Sequence, residues 1–177
     1  STSRRQRQMC IRDRAYHANG GQGTMAATEG VTDQVVEVAA NGFERAGYAF
    51  VGWNTAADGS GQAYAAGAGY ALTAGDDALF AQWTPNDGTA YTVNHYKVNA
   101  AHTAATLDNA ENLNATTDAV VEATAQTIPG YTYQPLFDEN GMKTVASGTV
   151  AGDGSLVLNL YYTPDADALA YLSLIHI

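Results

Sequence analysis

Lys97, Glu122 and Asn159 have the types and the spacing for a covalent reaction within one small domain. A neutral lysine amine that attacks an asparagine carboxamide releases ammonia and leaves an amide cross-link. The step needs Lys97 deprotonated by burial and a protonated Glu122 to polarise the amide. Lys97 stands in "AYTVNHYKV", Asn159 in "SLVLNLYYT", and Glu122 lies between them. A mass lowered by one ammonia would be the signature of the bond.

Other chemistry fails on spacing. "NGGQGTM" supplies Gly21 and Gly23, half of a dinucleotide fingerprint, but Ala26 takes the third glycine position and no helical pattern clearly follows, so a hairpin turn is expected. Asp58, Asp76, Asp77, Asp87, Asp138, Glu139 and Asp153 form no alternating-acid calcium loop. His17, His95 and His102 lack the spacing of metal ligands, and no nucleophile, base and acid can be assembled around them. His95 reads as a half-buried structural residue within a strand. Asn114 heads an Asn-Ala-Thr sequon, which carries no weight without a glycosylating host. No catalytic, cofactor-binding or metal-binding residues are expected, and the protein is read as not an enzyme.

The aromatic stretch "GYAFVGWNTAADGSG" offers a different chemistry, a platform of rings that grips a ligand. Tyr48 and Phe50 alternate along one strand face and are expected to be core. A unit of about 70 residues without cysteine or metal needs its few large rings inside. Trp53 is offset by an odd number, so it points the other way unless a bulge at Gly52 turns it back. Core and platform both stay open for Trp53.

The two ends differ from the rest. "RRQRQMCIRDR" and "LSLIHI" resemble translated sequencing-adapter read-through, and Arg4, Arg5, Arg7, Arg12 and Arg14 are five of the eight basic residues. Segment 1–14 is therefore read as non-native or disordered, and 164–177 as a tail that is partly non-native. Past residue 14 only Arg45, Lys97 and Lys143 oppose 17 acids. Such a chain repels phosphate backbones, which excludes nucleic acid as a partner. Cys10 is the single cysteine, and no apolar run approaches the roughly 18 residues of a membrane span.

Two-fold alternation dominates. "SLVLNLYYT" sets Leu156, Leu158, Leu160 and Tyr162 on one face of a strand, and turn signals stand at "NGGQG", "DGSG", "ENG" and "GDG". "TDQVVEVAANGFERAG" and "TTDAVVEATAQTIPG" are the candidates for helix, and each reads equally as a strand and turn. "TPNDGTA" marks a connector, giving domains at 15–84 and 90–163 with a linker at 85–89. The halves share a grammar: "GYAF" leads to Trp83, "GYTY" leads to Tyr162, and an Asp-Gly turn lies between in each.

Residues 15–84, with the Asn-Gly-Gly turn, "GYAFVGWNT", "DGSG" and the closing "AQW", resemble the Listeria-Bacteroides repeat, the internalin B-repeat type of module. His17 stands where that family has an acidic residue. Residues 90–163, from "YTVNHY" to "GDGSLVLNLYY", resemble the mucin-binding-protein (MucBP) repeat. The resemblance implies an α+β, predominantly β architecture of two tandem β-grasp-like (ubiquitin-like) domains, monomeric modules of a longer bacterial protein that is exported and wall-anchored. It implies an extracellular, cell-surface stalk or adhesive spacer without cofactors. The rival readings are a module gripping host mucin or glycan through Trp53, Tyr64 or Tyr70, and accessory domains of a large secreted enzyme.

Overall fold

The computed structural model describes residues 11–73 and 77–165. The chain divides into two compact units between Thr84 and Pro85. In the first, the strands are β1 (Ile11–His17), β2 (Thr28–Val31), β3 (Val35–Glu37), β4 (Tyr48–Asn54), β5 (Ala63–Tyr64), β6 (Gly69–Ala71) and β7 (Asp77–Pro85). The main sheet runs β2-β1-β7-β4-β5, and β3 pairs with β6 in a two-stranded ribbon. Residues 11–14, which the sequence places outside the first domain, form the first half of β1.

The second unit contains β8 (Thr89–Val98), β9 (Ala105–Ala115), β10 (Val120–Glu122), β11 (Tyr131–Tyr133), β12 (Asp138–Glu139), β13 (Met142–Lys143), β14 (Ser147–Thr149) and β15 (Val157–Pro164). Its main sheet runs β11-β15-β8-β9, and β10 pairs with β14. The order repeats that of the first unit. In each, the opening strand forms a hairpin with the second strand and lies parallel to the closing strand: β1 on β7, β8 on β15.

The expected α+β class is corrected: the described residues contain strands and no helix. Both candidate helical segments open as strands, β3 and β10. Each begins after an aspartate in the left-handed region, Asp33 at φ 66 and Asp118 at φ 65, a conformation incompatible with continuing a helix. The β-branched pairs Val35-Val36 and Val120-Val121 follow and suit a strand. Val36 and Val38 are buried while Val35 and Glu37 are exposed, a period of two that no helix satisfies. The β-grasp label, which carries a helix, falls with the class.

Each unit has its own core. Tyr16, Val36, Val38, Phe43, Trp53, Tyr70, Leu72, Leu79 and Ala81 fill the first, and Tyr91, Val93, Ile128, Val150, Leu158, Leu160 and Tyr162 the second. The alternation read in "SLVLNLYYT" is present: Leu158, Leu160 and Tyr162 are buried while Val157 is exposed. Gly47 and Gly130 both adopt φ 76 ahead of the Gly-Tyr strands β4 and β11, which only glycine does without strain.

Candidate functional site

Trp53 answers the platform question. It is 1% exposed, its indole N–H donates to the Ala39 carbonyl at 3.1 Å, and Tyr16, Phe43 and Phe50 surround its ring at centroid distances of 4.9, 6.0 and 5.1 Å. Along β4 half-buried and exposed residues alternate from Tyr48 through Gly52, and then Trp53 and Asn54 are both buried. Trp53 therefore lies inward although its parity differs from that of Tyr48 and Phe50.

The other rings follow different courses. Phe50 is half-buried and meets Trp53 and Trp83 edge-on. Tyr48, expected in the core, is half-buried beneath the Arg45 guanidinium, whose carbon lies 3.6 Å from the ring centroid. Tyr70 is buried and Tyr64 half-buried against it, so neither Trp53 nor Tyr70 presents a ring to solvent.

The cross-linking triad is not brought together. Lys97 Nζ lies 2.6 Å from Asp108 Oδ1. The parallel register sets Lys97 opposite Tyr162, and Asn159 opposite Asn94, whose side-chain N–H donates to the Asn159 carboxamide oxygen at 3.1 Å. Lys97 and Asn159 thus have opposite parity and lie on opposite faces of the sheet. Glu122 is exposed on β10, where it does not become the buried acid the reaction requires.

A polar cluster that spacing could not reveal lies inside the second unit. His95 is fully buried, and its Nδ1 is 2.8 Å from Tyr162 Oη, which accepts the Gln126 backbone N–H at 2.9 Å. Tyr162 Oη keeps both its own proton and a second lone pair for the contact with Nδ1, and Nε2 faces Glu111 Oε2 at 3.6 Å. Burial pushes the Tyr162 phenol up, and the Gln126 N–H acts against it. His95 was expected to be half-buried. Its contact with Tyr162 was hidden because the residues are 67 apart in sequence.

A groove of about 420 Å³ lies beside β12, lined among others by His102, Leu136, Phe137, Asp138 and Glu139. His102 Nδ1 is 2.9 Å from Glu139 Oε2. Among the described residues no three His, Cys, Asp or Glu side chains are placed to share a metal ion. His17, the remaining candidate, stacks on Phe80 at 4.8 Å. The hydroxyls of Ser60 and Ser155, and after them the backbone N–H groups of the same residues, donate to Asp58 and Asp153 and hold both carboxyls below their ordinary range. These are turn-forming roles. Asp76 lies outside the described residues.

Residues 15–82 match the Listeria-Bacteroides repeat domain. A protein of Evansella cellulosilytica named "Putative membrane protein" is 29% identical over 126 residues, covering 63% of this chain and 19% of its own length. The chain thus spans about a fifth of that relative. The solved structure titled "Crystal structure of Mub-RV" is 12% identical and covers 89% of this chain and 99% of its own, with a TM-score of 0.22. That score is too low to bear on fold or function. No helix among the described residues is long and apolar enough to cross a membrane.

Proposed function

We propose that this chain is a non-catalytic repeat segment of a bacterial cell-surface protein, two small β units in series acting as a stalk or adhesive spacer. The observation that carries the reading is the burial of Trp53 at 1% exposure, with Tyr70 also inside. Of the rings Trp53, Tyr64 and Tyr70 that a ligand-binding module would present, two are consumed by the core and Tyr64 packs half-buried against Tyr70. Burying one large apolar side chain contributes roughly 1.5–3 kcal/mol, which a unit this small needs. The repeat-domain match at 15–82 supports the same reading. The acidic body keeps such segments apart and extended through like-charge repulsion.

The test is retention of the full chain on immobilised mucin and on a glycan panel, with serum albumin as control. Retention no greater than that of albumin is expected. Saturable retention released by a free sugar would overturn the spacer reading in favour of a binding module.

A further inference from the structure

We propose that the parallel pairing of first and last strands makes each unit a load-bearing clamp; its biological role rests on the spacer reading, its mechanics on the sheet alone. In the second unit β8 opens the sheet and β15 closes it. They pair in parallel over six positions, from Thr92 opposite Val157 to Lys97 opposite Tyr162. Two parallel neighbours enter and leave the unit at opposite ends. Tension on the flanking chain therefore pulls β8 and β15 in opposite directions along their own axes, and every ladder bond between them is loaded at once.

Antiparallel pairs whose outer ends are pulled apart behave differently, because their bonds open one after another. β8 and β9 form such a hairpin, with Ala90 opposite Asn114 at its open end. The same sheet thus holds a shear-loaded seam and a peelable one.

One face of the seam is also dry. Val93, His95, Leu158, Leu160 and Tyr162 are each 0–1% exposed. Water is kept from the bonds on that side, and a hydrogen bond shielded from exchange with water is stronger than one in water. The first unit repeats the arrangement over four positions, from Arg14 opposite Asp77 to His17 opposite Phe80. Its seam is shorter, and it carries the buried Arg14 guanidinium, which has no hydrogen-bond partner among the described residues.

The experiment pulls the full chain, with Cys10→Ser to remove the natural thiol, between cysteine handles in optical tweezers at one loading rate. Gly88→Cys with Ala166→Cys loads β8 against β15 in shear, and Gly88→Cys with Asn114→Cys peels β8 from β9. A Cβ at Gly88 meets nothing within 4 Å and Asn114 is exposed, so both positions accept a handle. Circular dichroism confirms that each variant folds. Rupture in the shear pair at about twofold or more the force of the peel pair is expected, because bonds broken together resist more than bonds broken singly. Equal forces in the two geometries would overturn the clamp. They would leave the spacer reading standing, since that reading falls to captured glycan and not to a weak seam.

Discussion

Asp33 and Asp118 occupy one position in two copies of the same design. Both lie in the left-handed region, at φ 66 and 65. The Asp33 N–H donates to the Leu72 carbonyl at 2.9 Å, and the Asp118 N–H to the Val150 carbonyl at 3.0 Å. Leu72 and Val150 answer with N–H bonds of 2.9 Å to Gln34 and Ala119, the residues that follow the two aspartates. Glycine adopts this backbone freely, and β-branched residues do not. Asp118→Gly is expected to leave stability within a few tenths of a kcal/mol, whereas Asp118→Val costs about 1–2 kcal/mol. Urea titration of the two variants checks the difference, and Asp33 should behave in parallel.

The same duplication exposes a misfit. Through the parallel registers, Tyr16 opposite Leu79 corresponds to Val93 opposite Leu158, which sets Arg14 against the core residue Tyr91. Arg14 is 0% exposed, its guanidinium nitrogens find no hydrogen-bond partner among the described residues, and the Tyr70 ring lies beneath it at 3.7 Å. A desolvated cation over a ring gains about 2 kcal/mol, less than the cost of burying an unpaired charge. Arg14→Leu is expected to stabilise the first unit by about 1–3 kcal/mol, the usual cost of a buried polar group left unsatisfied. Its melting temperature, measured by calorimetry, should rise while that of the second unit stays constant.

Tyr162 ties three segments of the second unit together through His95 Nδ1 and the Gln126 N–H. Tyr162→Phe keeps the ring and removes the oxygen, leaving a buried imidazole nitrogen and a backbone donor unpaired. A loss of about 1–3 kcal/mol for each orphaned group is the expected scale. Chemical denaturation of the second unit would read it, and an unchanged midpoint would count against the assigned bonds.

Alkali should act on the same unit. Burial raises the phenols of Tyr133, Tyr161 and Tyr162 above the ordinary value of 10.0, with Glu122 adding to the first. A folded-state value above the unfolded one means that the native state holds its proton more tightly. The stabilisation is fully present below about pH 10 and is lost as pH rises through the folded value. Melting of the second unit, followed by circular dichroism from pH 8 to 12, is expected to fall above pH 10, together with phenolate absorbance.

Sequence periodicity reaches part of this account and stops at identifiable places. The closing strand was legible because Leu158, Leu160 and Tyr162 alternate with exposed or half-buried neighbours over a long run. The middle segments misled because alanine-rich stretches after Val36 and Val121 suit a helix locally, and the turn at each aspartate is decided by bonds to Leu72 and Val150 far along the chain. Trp53 was undecidable because Trp53 and Asn54 are buried side by side at the end of β4, a departure from alternation that no spacing rule encodes. The Lys97 and Asn159 pairing looked feasible because strand membership was readable while register was not. His95 and Tyr162 meet only through the parallel pairing of β8 with β15.

The measurement that tests the central claim most directly is the folding of Trp53→Ala, followed by circular dichroism and urea denaturation beside a mucin and glycan retention assay. If the rings exist to hold the module together, the variant loses about 3–5 kcal/mol in the first unit. That unit then unfolds while the second retains its transition, and neither protein is retained. A Trp53→Ala chain that stays fully folded while losing a glycan the parent chain holds would contradict the account and make Trp53 part of a binding site.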